Sequence, residues 1–213
     1  RSPPTRASGG GSHAGGGATH AGMPEHALKE WAVTIEALLA GDQVVILRKG
    51  GIGEKRFELP HREFFLFPTY LHQRPELVVD QARTRYATIL RPRSEEPDEL
   101  PLRAWARLHE AFPIEGPEGL EAMRDLHILA PAYAVERLRW RRTQPLWAAV
   151  LRVSRIADPP MLRVLPEHGG CVSWVATPDG MAPGTRTPVL DDAAFNTAAE
   201  RVGDALAGVG AGR

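Results

Sequence analysis

Polar, titratable side chains are concentrated in two short stretches, LRKGGI at residues 47–52 and HREFFLFPTYLHQ at residues 61–73. Large apolar residues alternate with them, as in a ligand site whose apolar wall carries a few inward-pointing polar groups. The candidate side chains are Arg48, Lys49, His61, Arg62, Glu63, Tyr70, His72 and Gln73. The alternative is a core strand, FFLF, that enters a proline turn between ordinary solvated flanks. The sequence leaves both interpretations open.

Three of these residues are candidates for catalysis: His61, Glu63 and His72. Two imidazoles and a carboxylate are the ligand types of a hydrolytic metal site. The spacing matches no established metal motif, however, so no metal site is assigned, and both enzymatic activity and cofactors stay open. Ten extended residues span about 33 Å, so His61 and His72 can meet only if the chain folds back at Pro68.

Two further stretches interleave arginine with aromatic residues, RTRYATILRPR at residues 83–93 and RLRWRR at residues 137–142. Arginine pairs with phosphate and an aromatic ring stacks on a base, so both stretches suggest nucleic-acid binding. The residues that carry this prediction are Arg85, Arg139, Trp140 and Arg141. The alternative is a solvated helix face whose aromatic residue packs inward, and acidic residues at 95–99 would partly cancel the first stretch.

The elements that must position these groups are of mixed type. WAVTIEALL at 31–39 and VVIL at 44–47, separated by the turn residues AGDQ, predict a β-hairpin. Further strands are predicted at 102–112, 146–156, 161–165 and 171–176, and helices after Pro75, at 117–126, at 132–140 and from Asp191 or Asp192 to about 207. The four apolar residues at 64–67 predict a strand covered on both faces. Strands and helices do not alternate strictly along the chain. This order of elements favours an α+β fold, with a mostly antiparallel sheet beginning with a β-hairpin and flanking helices.

The amino-acid composition limits which binding partners, disulfides and metal sites are possible. The formal net charge is zero, which argues against a protein-wide attraction to nucleic acid or membrane and allows local patches. Cys171 is the only cysteine, so an intramolecular disulfide and a multi-cysteine zinc site are excluded. We expect a soluble, cytoplasmic protein that does not bind membranes, with a disordered Gly/Ser/His-rich tail at 1–22 and a single globular domain at 23–210. The oligomeric state stays open.

The segment ALKEWAVTIEALLAGDQVVILRKGGI, continued by HREFFLFPTYLHQ, resembles the bacterial family called domain of unknown function 1802. The later segments WRRTQPLW and GGCVSW are similar to it as well, so the resemblance covers about Glu25 to Thr177. It implies a bacterial protein and assigns no activity or site residue. The residues themselves favour a nucleic-acid-binding or processing accessory module. The alternatives are a small metal-assisted hydrolase centred on HREFFLFPTYLHQ and a non-catalytic interaction subunit.

Overall fold

The computed structural model describes residues 26–49, 61–139, 146–169 and 172–210. The tail at 1–22 and the residues Trp140, Arg141 and Cys171 lie outside them. The strands are β1 (His26–Trp31), β2 (Val45–Lys49), β3 (Glu63–Thr69), β4 (Glu99–Pro101), β5 (Ala104–Ile114), β6 (Leu146–Ile156), β7 (Met161–Arg163), β8 (Trp174–Ala176) and β9 (Arg186–Pro188). The α-helices are α1 (Ala32–Ala40), α2 (Asp80–Arg85), α3 (Gly116–Ala122), α4 (Pro131–Arg139) and α5 (Asp192–Gly210).

A mixed sheet organises the fold. Its strand order is β2-β6-β5-β3-β1-β8, and β9 pairs with the end of β6. Among the described strands, β1 and β3 run parallel and the other pairs of this sheet are antiparallel. The strands β4 and β7 form a separate two-stranded sheet. The α+β class is therefore confirmed, with a sheet that is mixed.

The predicted β-hairpin at 31–47 is wrong, because its first half is the helix α1. Residues 32–39 are apolar on nearly every side and almost all buried, and a short, uniformly apolar run does not distinguish a buried strand from a buried helix. The AGDQ segment ends this helix: Gly41 has φ 76°, and its N–H donates to the Leu38 carbonyl at 3.2 Å. Glycine adopts this left-handed conformation without strain, as at many helix C-termini. The second half, VVIL, lies in β2 as predicted, with Val44 just before the strand.

The strand β3 is buried on both faces, as predicted. Phe64 and Leu66 pack against α1, whereas Phe65 and Phe67 pack against the β4–β7 sheet. All four side chains are at most 2% exposed. Each buried side chain of this size contributes about 1.5–3 kcal/mol to folding.

Most of the remaining predicted elements are confirmed. The strands at 102–112 and 146–156 correspond to β5 and β6, and the three later helices correspond to α3, α4 and α5. Asp191 caps α5 through a hydrogen bond from the Ala194 N–H to its Oδ1 at 2.8 Å. Two details differ: the helix after Pro75 is divided into a 3-10 turn (Pro75–Leu77) and α2, and the strand predicted at 161–165 is the shorter β7, which pairs with β4.

The sheet is strongly curled. Three strands separate β2 from β1 in the sheet order, yet Arg48 of β2 donates to the Lys29 carbonyl of β1 at 3.1 Å. α1 covers one face of the sheet, and α3, α4 and α5 cover the other face beside β2. This curvature brings β1, β2, α1 and α4 together around the site described next.

Candidate functional site

A buried ion pair joins Glu30 of β1 to Arg48 of β2. The Glu30 carboxylate is 8% exposed and lies 3.4 Å from the Arg48 guanidinium, whose side chain is 17% exposed. Glu30 also accepts a hydrogen bond from the Trp31 N–H at 2.8 Å, immediately before α1 begins. A buried carboxylate of this kind needs its partner, because removing one member of a buried pair typically costs about 3–5 kcal/mol.

Two more basic groups lie beside this pair. Lys49 follows Arg48 on β2, and its ammonium donates to the Leu138 carbonyl of α4 at 3.2 Å. Burial, and then the charge of Arg137, lower the pKa of Lys49 below its usual range. Arg137 Nε donates to the Tyr133 hydroxyl oxygen at 2.9 Å.

The pKa of Tyr133 is affected by Glu30, Arg48 and Arg137, so all three charged groups lie near its hydroxyl. Burial raises the pKa of Tyr133 and the Glu30 charge raises it further, whereas Arg137 and Arg48 lower it. The Tyr133 ring also meets Trp31 edge-on, with centroids 5.1 Å apart. We call Glu30, Arg48, Lys49, Tyr133 and Arg137 the basic cluster. Arg48 pairs with Glu30, and Arg137 lies close enough to Lys49 to lower its pKa.

Part of this charge has a structural role. Arg137 and Arg139 lie in the last turn of α4, where positive charge interacts favourably with the helix dipole. Lys49 satisfies a carbonyl at the same helix end. Arg139 is exposed, and it extends the basic surface beyond the cluster. The cluster therefore combines helix stabilisation with a positive surface that can meet an anion.

The catalytic candidates do not come together. β3 runs without a break from Glu63 to Thr69, and Pro68 lies within it, opposite Glu30 of β1. His61 and His72 lie beyond opposite ends of this strand, which spans about 20 Å. The described part of the chain contains no group of three side chains suited to hold a metal ion.

The two histidines have different surroundings. His61 stacks on His26, with ring centroids 3.6 Å apart, and meets Trp174 edge-on. Burial, followed by the charge of His26, lowers the pKa of His61. His72 is exposed in the turn after β3. Neither histidine shares a site with Glu63, which begins β3 opposite Arg107 of β5.

Other polar residues of the 61–73 motif connect elements of the fold. Gln73 accepts a hydrogen bond from the Val33 N–H of α1 at 2.7 Å and donates to the Ile89 carbonyl at 3.1 Å. Tyr70 donates its backbone N–H to Glu96 at 2.8 Å. Burial raises the pKa of the Tyr70 hydroxyl, and Arg93 lies 4.0 Å from the ring centroid.

Arg62, the last residue of this predicted set, is exposed. Its carbonyl accepts a hydrogen bond from the Leu108 N–H at 2.9 Å. Its side chain lies on the surface at the start of β3, away from the basic cluster at the other end of β1. Of the motif residues, only Arg48 and Lys49 belong to that cluster.

Two of the four arginines in the first arginine-aromatic stretch are paired with carboxylates. Arg85 lies 2.9 Å from Asp42, and Arg83 pairs with Asp80. Tyr86 is buried and donates its hydroxyl to Asp42, and burial raises its pKa. This stretch fits the alternative of an arginine-rich helix face with an inward aromatic. In the second stretch Arg137 and Arg139 are described, whereas Trp140 and Arg141 lie outside the described residues.

Sequence reasoning did not single out Glu30 or Tyr133, and it included Arg137 only as the first residue of RLRWRR. The available signal for Glu30 was a carboxylate in the segment HALKEW, beside apolar residues, that must be paired if buried. Its partner, Arg48, is 18 residues away and reaches it only because the sheet curls.

Comparison with solved structures gives weak similarities. The chain is similar to a tyrosine-to-phenylalanine mutant of ZmASCH from Zymomonas mobilis, with 13% identity, a TM-score of 0.38, and coverage of 74% of this chain and 92% of that chain. For ASCH from the same organism the identity is 15% and the TM-score is 0.36, with coverage of 68% of this chain and 90% of that chain. These TM-scores are too low to support an inference about fold or function.

Sequence comparisons give one clear result. No curated protein matches this sequence. The family model described as "Domain of unknown function (DUF1802)" matches residues 27–201, which include the basic cluster and every described strand except the first residue of β1. Over the described ranges, no helix has the length and apolar character needed to cross a bilayer. The chain belongs to the DUF1802 family.

Proposed function

We propose that the protein is a nucleic-acid-binding module that holds phosphate groups at the basic cluster. The observation that carries this proposal is the clustering of three positive groups: Arg48 and Arg137 both lie near Tyr133, and Arg137 is close enough to Lys49 to lower its pKa. A planar guanidinium matches the oxygens of a phosphate, and a lysine adds a compact positive charge.

The lowered pKa of Lys49 supports an anion as the ligand. Burial and the neighbouring Arg137 both make its charged form less favourable. A bound phosphate would attract both Lys49 and Arg137 and so offset the repulsion between them. Phosphate binding would therefore stabilise the charged form of Lys49. Glu30 holds the Arg48 guanidinium in place, which limits the side-chain ordering that binding requires.

Binding is a better match to this geometry than catalysis. The cluster has no histidine, and the candidate hydrolytic residues His61 and His72 lie beyond opposite ends of β3. A tyrosine hydroxyl is protonated at neutral pH and burial raises the pKa of Tyr133 further, so this hydroxyl is a poor base. A protein of zero formal charge that uses a local cluster should bind with marked salt dependence.

The test is a salt titration of binding to labelled RNA and DNA, followed by fluorescence anisotropy. The variant Lys49→Gln/Arg139→Gln removes two charges from the surface and leaves the Glu30–Arg48 pair intact. The matched control, Arg163→Gln/Arg201→Gln, removes two exposed arginines from β7 and α5. We expect the first variant to weaken binding and to reduce the salt slope by about 0.7 per lost contact with a single strand. Equal behaviour of the two variants, or no wild-type binding at low salt, would refute the proposal.

A further inference from the structure

A second basic surface lies on the sheet itself, on strands β5, β6 and β9. Arg107 of β5 and Arg152 of β6 are directly opposite in the strand register, so their side chains emerge next to each other on one face. Two residues along the same face, Trp105 is opposite Ser154, which is opposite Pro188 of β9. Like charges at opposite positions repel, and Glu63 beside Arg107 and Asp192 beside Arg152 offset part of this repulsion.

Aromatic rings support two of the arginines on this surface. The Arg186 guanidinium lies over the Trp105 ring, 5.0 Å from its centroid. The Arg152 guanidinium lies over Phe195 of α5 at 4.8 Å, and His109 meets the same ring edge-on at 5.1 Å. A guanidinium supported on one side by a ring presents its other side to a planar group.

The charges are only partly neutralised. Asp192 pairs with Arg152, and Glu63 is opposite Arg107 in the register of β3 and β5. Within the described part of the chain, neither Arg107 nor Arg186 forms an ion pair, and both are exposed. Two arginines on the strands that flank β6 are thus available to a polyanion. We call Trp105, Arg107, Arg152 and Arg186 the arginine surface.

We infer that the arginine surface binds single-stranded nucleic acid, with phosphates paired to Arg107 and unstacked bases resting on Arg152 and Arg186. The inference rests on the proposed function and adds the class of substrate. Unpaired bases are recognised by stacking on aromatic rings or arginine planes, whereas the bases of a duplex are already stacked on one another.

The basic cluster and the arginine surface lie close enough together for one nucleic-acid strand to contact both. Lys49 is opposite Leu146 on β6, and Arg152 is six residues further along that strand, or about 20 Å away in a straight line. The residues of β6 between them are buried under the helices, so a nucleic acid that joins the two surfaces must pass over those helices. Single-strand binding folds occupy about 4–16 nucleotides, which is enough to reach from the basic cluster to the arginine surface.

The experiment compares a 20-nucleotide single strand with the 20-base-pair duplex of the same sequence, as RNA and as DNA, by fluorescence anisotropy. The variant is Arg107→Glu/Arg186→Glu, which leaves the Arg152–Asp192 pair in place. The control is Arg124→Glu/Arg201→Glu, which changes the net charge by the same amount at exposed positions elsewhere. Circular dichroism melting checks that each variant is folded.

We expect the variant to bind the single strand at least about tenfold more weakly than the control does, while duplex binding falls equally in both. The RNA and DNA arms show which strand is preferred. Equal single-strand affinity of variant and control would overturn the inference and leave the proposed function standing. Equal losses for single strand and duplex would overturn the assignment to single strands. Absence of any wild-type binding would overturn both proposals.

Discussion

His127 should make the fold sensitive to mild acid. It is 7% exposed, its Nδ1 accepts a hydrogen bond from the Leu129 N–H at 3.2 Å, and its Nε2 is buried without a partner among the described residues. Burial lowers its pKa from 6.5 to about 4. The unfolded chain therefore binds a proton near pH 6.5 that the folded chain resists binding until about pH 4.

The sign follows from this order of pKa values. Stability is fully present above pH 6.5, falls as the pH decreases through the window between the two values, and levels off below about pH 4. Between pH 7 and pH 5 these values correspond to a loss of about 2 kcal/mol in the free energy of unfolding.

Urea unfolding at pH 7 and pH 5 measures this loss directly. His127→Asn keeps an acceptor for the Leu129 N–H at the position of Nδ1 and has no group that titrates in this range. The control is His72→Asn, which changes an exposed histidine. We expect wild type and His72→Asn to lose about 2 kcal/mol more between the two pH values than His127→Asn does. The same pH dependence in all three proteins would refute the account of His127.

Two stability predictions concern the motif at 61–73. Phe65→Ala should lower the free energy of unfolding by about 3–5 kcal/mol in urea titrations, because the side chain is fully buried; Val135→Ala on the exposed face of α4 should change it by less than about 0.5 kcal/mol. Gln73→Ala should cost about 1–2 kcal/mol in the same assay, because it removes both the cap on the Val33 N–H and the bond to the Ile89 carbonyl. A cost equal to that of His72→Ala, the exposed neighbour, would show that Gln73 does not hold α1.

Local sequence patterns were sufficient to predict those strands and helices whose intrinsic propensity matches the structure they adopt in the fold. β6 carries a long apolar, β-branched run and was predicted with its observed bounds, and Asp191 marked the start of α5. The segment at 32–40 failed because its residues are buried on all sides, which removes the periodicity that distinguishes a helix from a strand.

The candidate site could be predicted only in part. Arg48 and Lys49 stood out in the sequence because they end an apolar strand. Tyr133 and Arg137 lie about 85 residues later, and only the packing of α4 beside β2 brings them to Lys49. The distance between His61 and His72 depends on whether β3 continues through Pro68. Pairing with β1 keeps β3 extended at Pro68, and local sequence does not reveal this pairing. Contacts of this kind arise from tertiary structure, which local periodicity does not encode.

The pKa of Lys49 provides the most direct test of the central claim, that the basic cluster binds phosphate groups. The chain has three lysines, Lys29, Lys49 and Lys55, so reductive ¹³C-methylation gives few NMR signals, and Lys→Arg variants assign them. In the free protein the pKa of Lys49 should lie below the usual lysine range, because of burial and the nearby Arg137. Saturating single-stranded RNA should raise it, since a bound phosphate stabilises the ammonium form, and Lys29 serves as the internal reference. A Lys49 pKa that stays unchanged while RNA binds would contradict the claim.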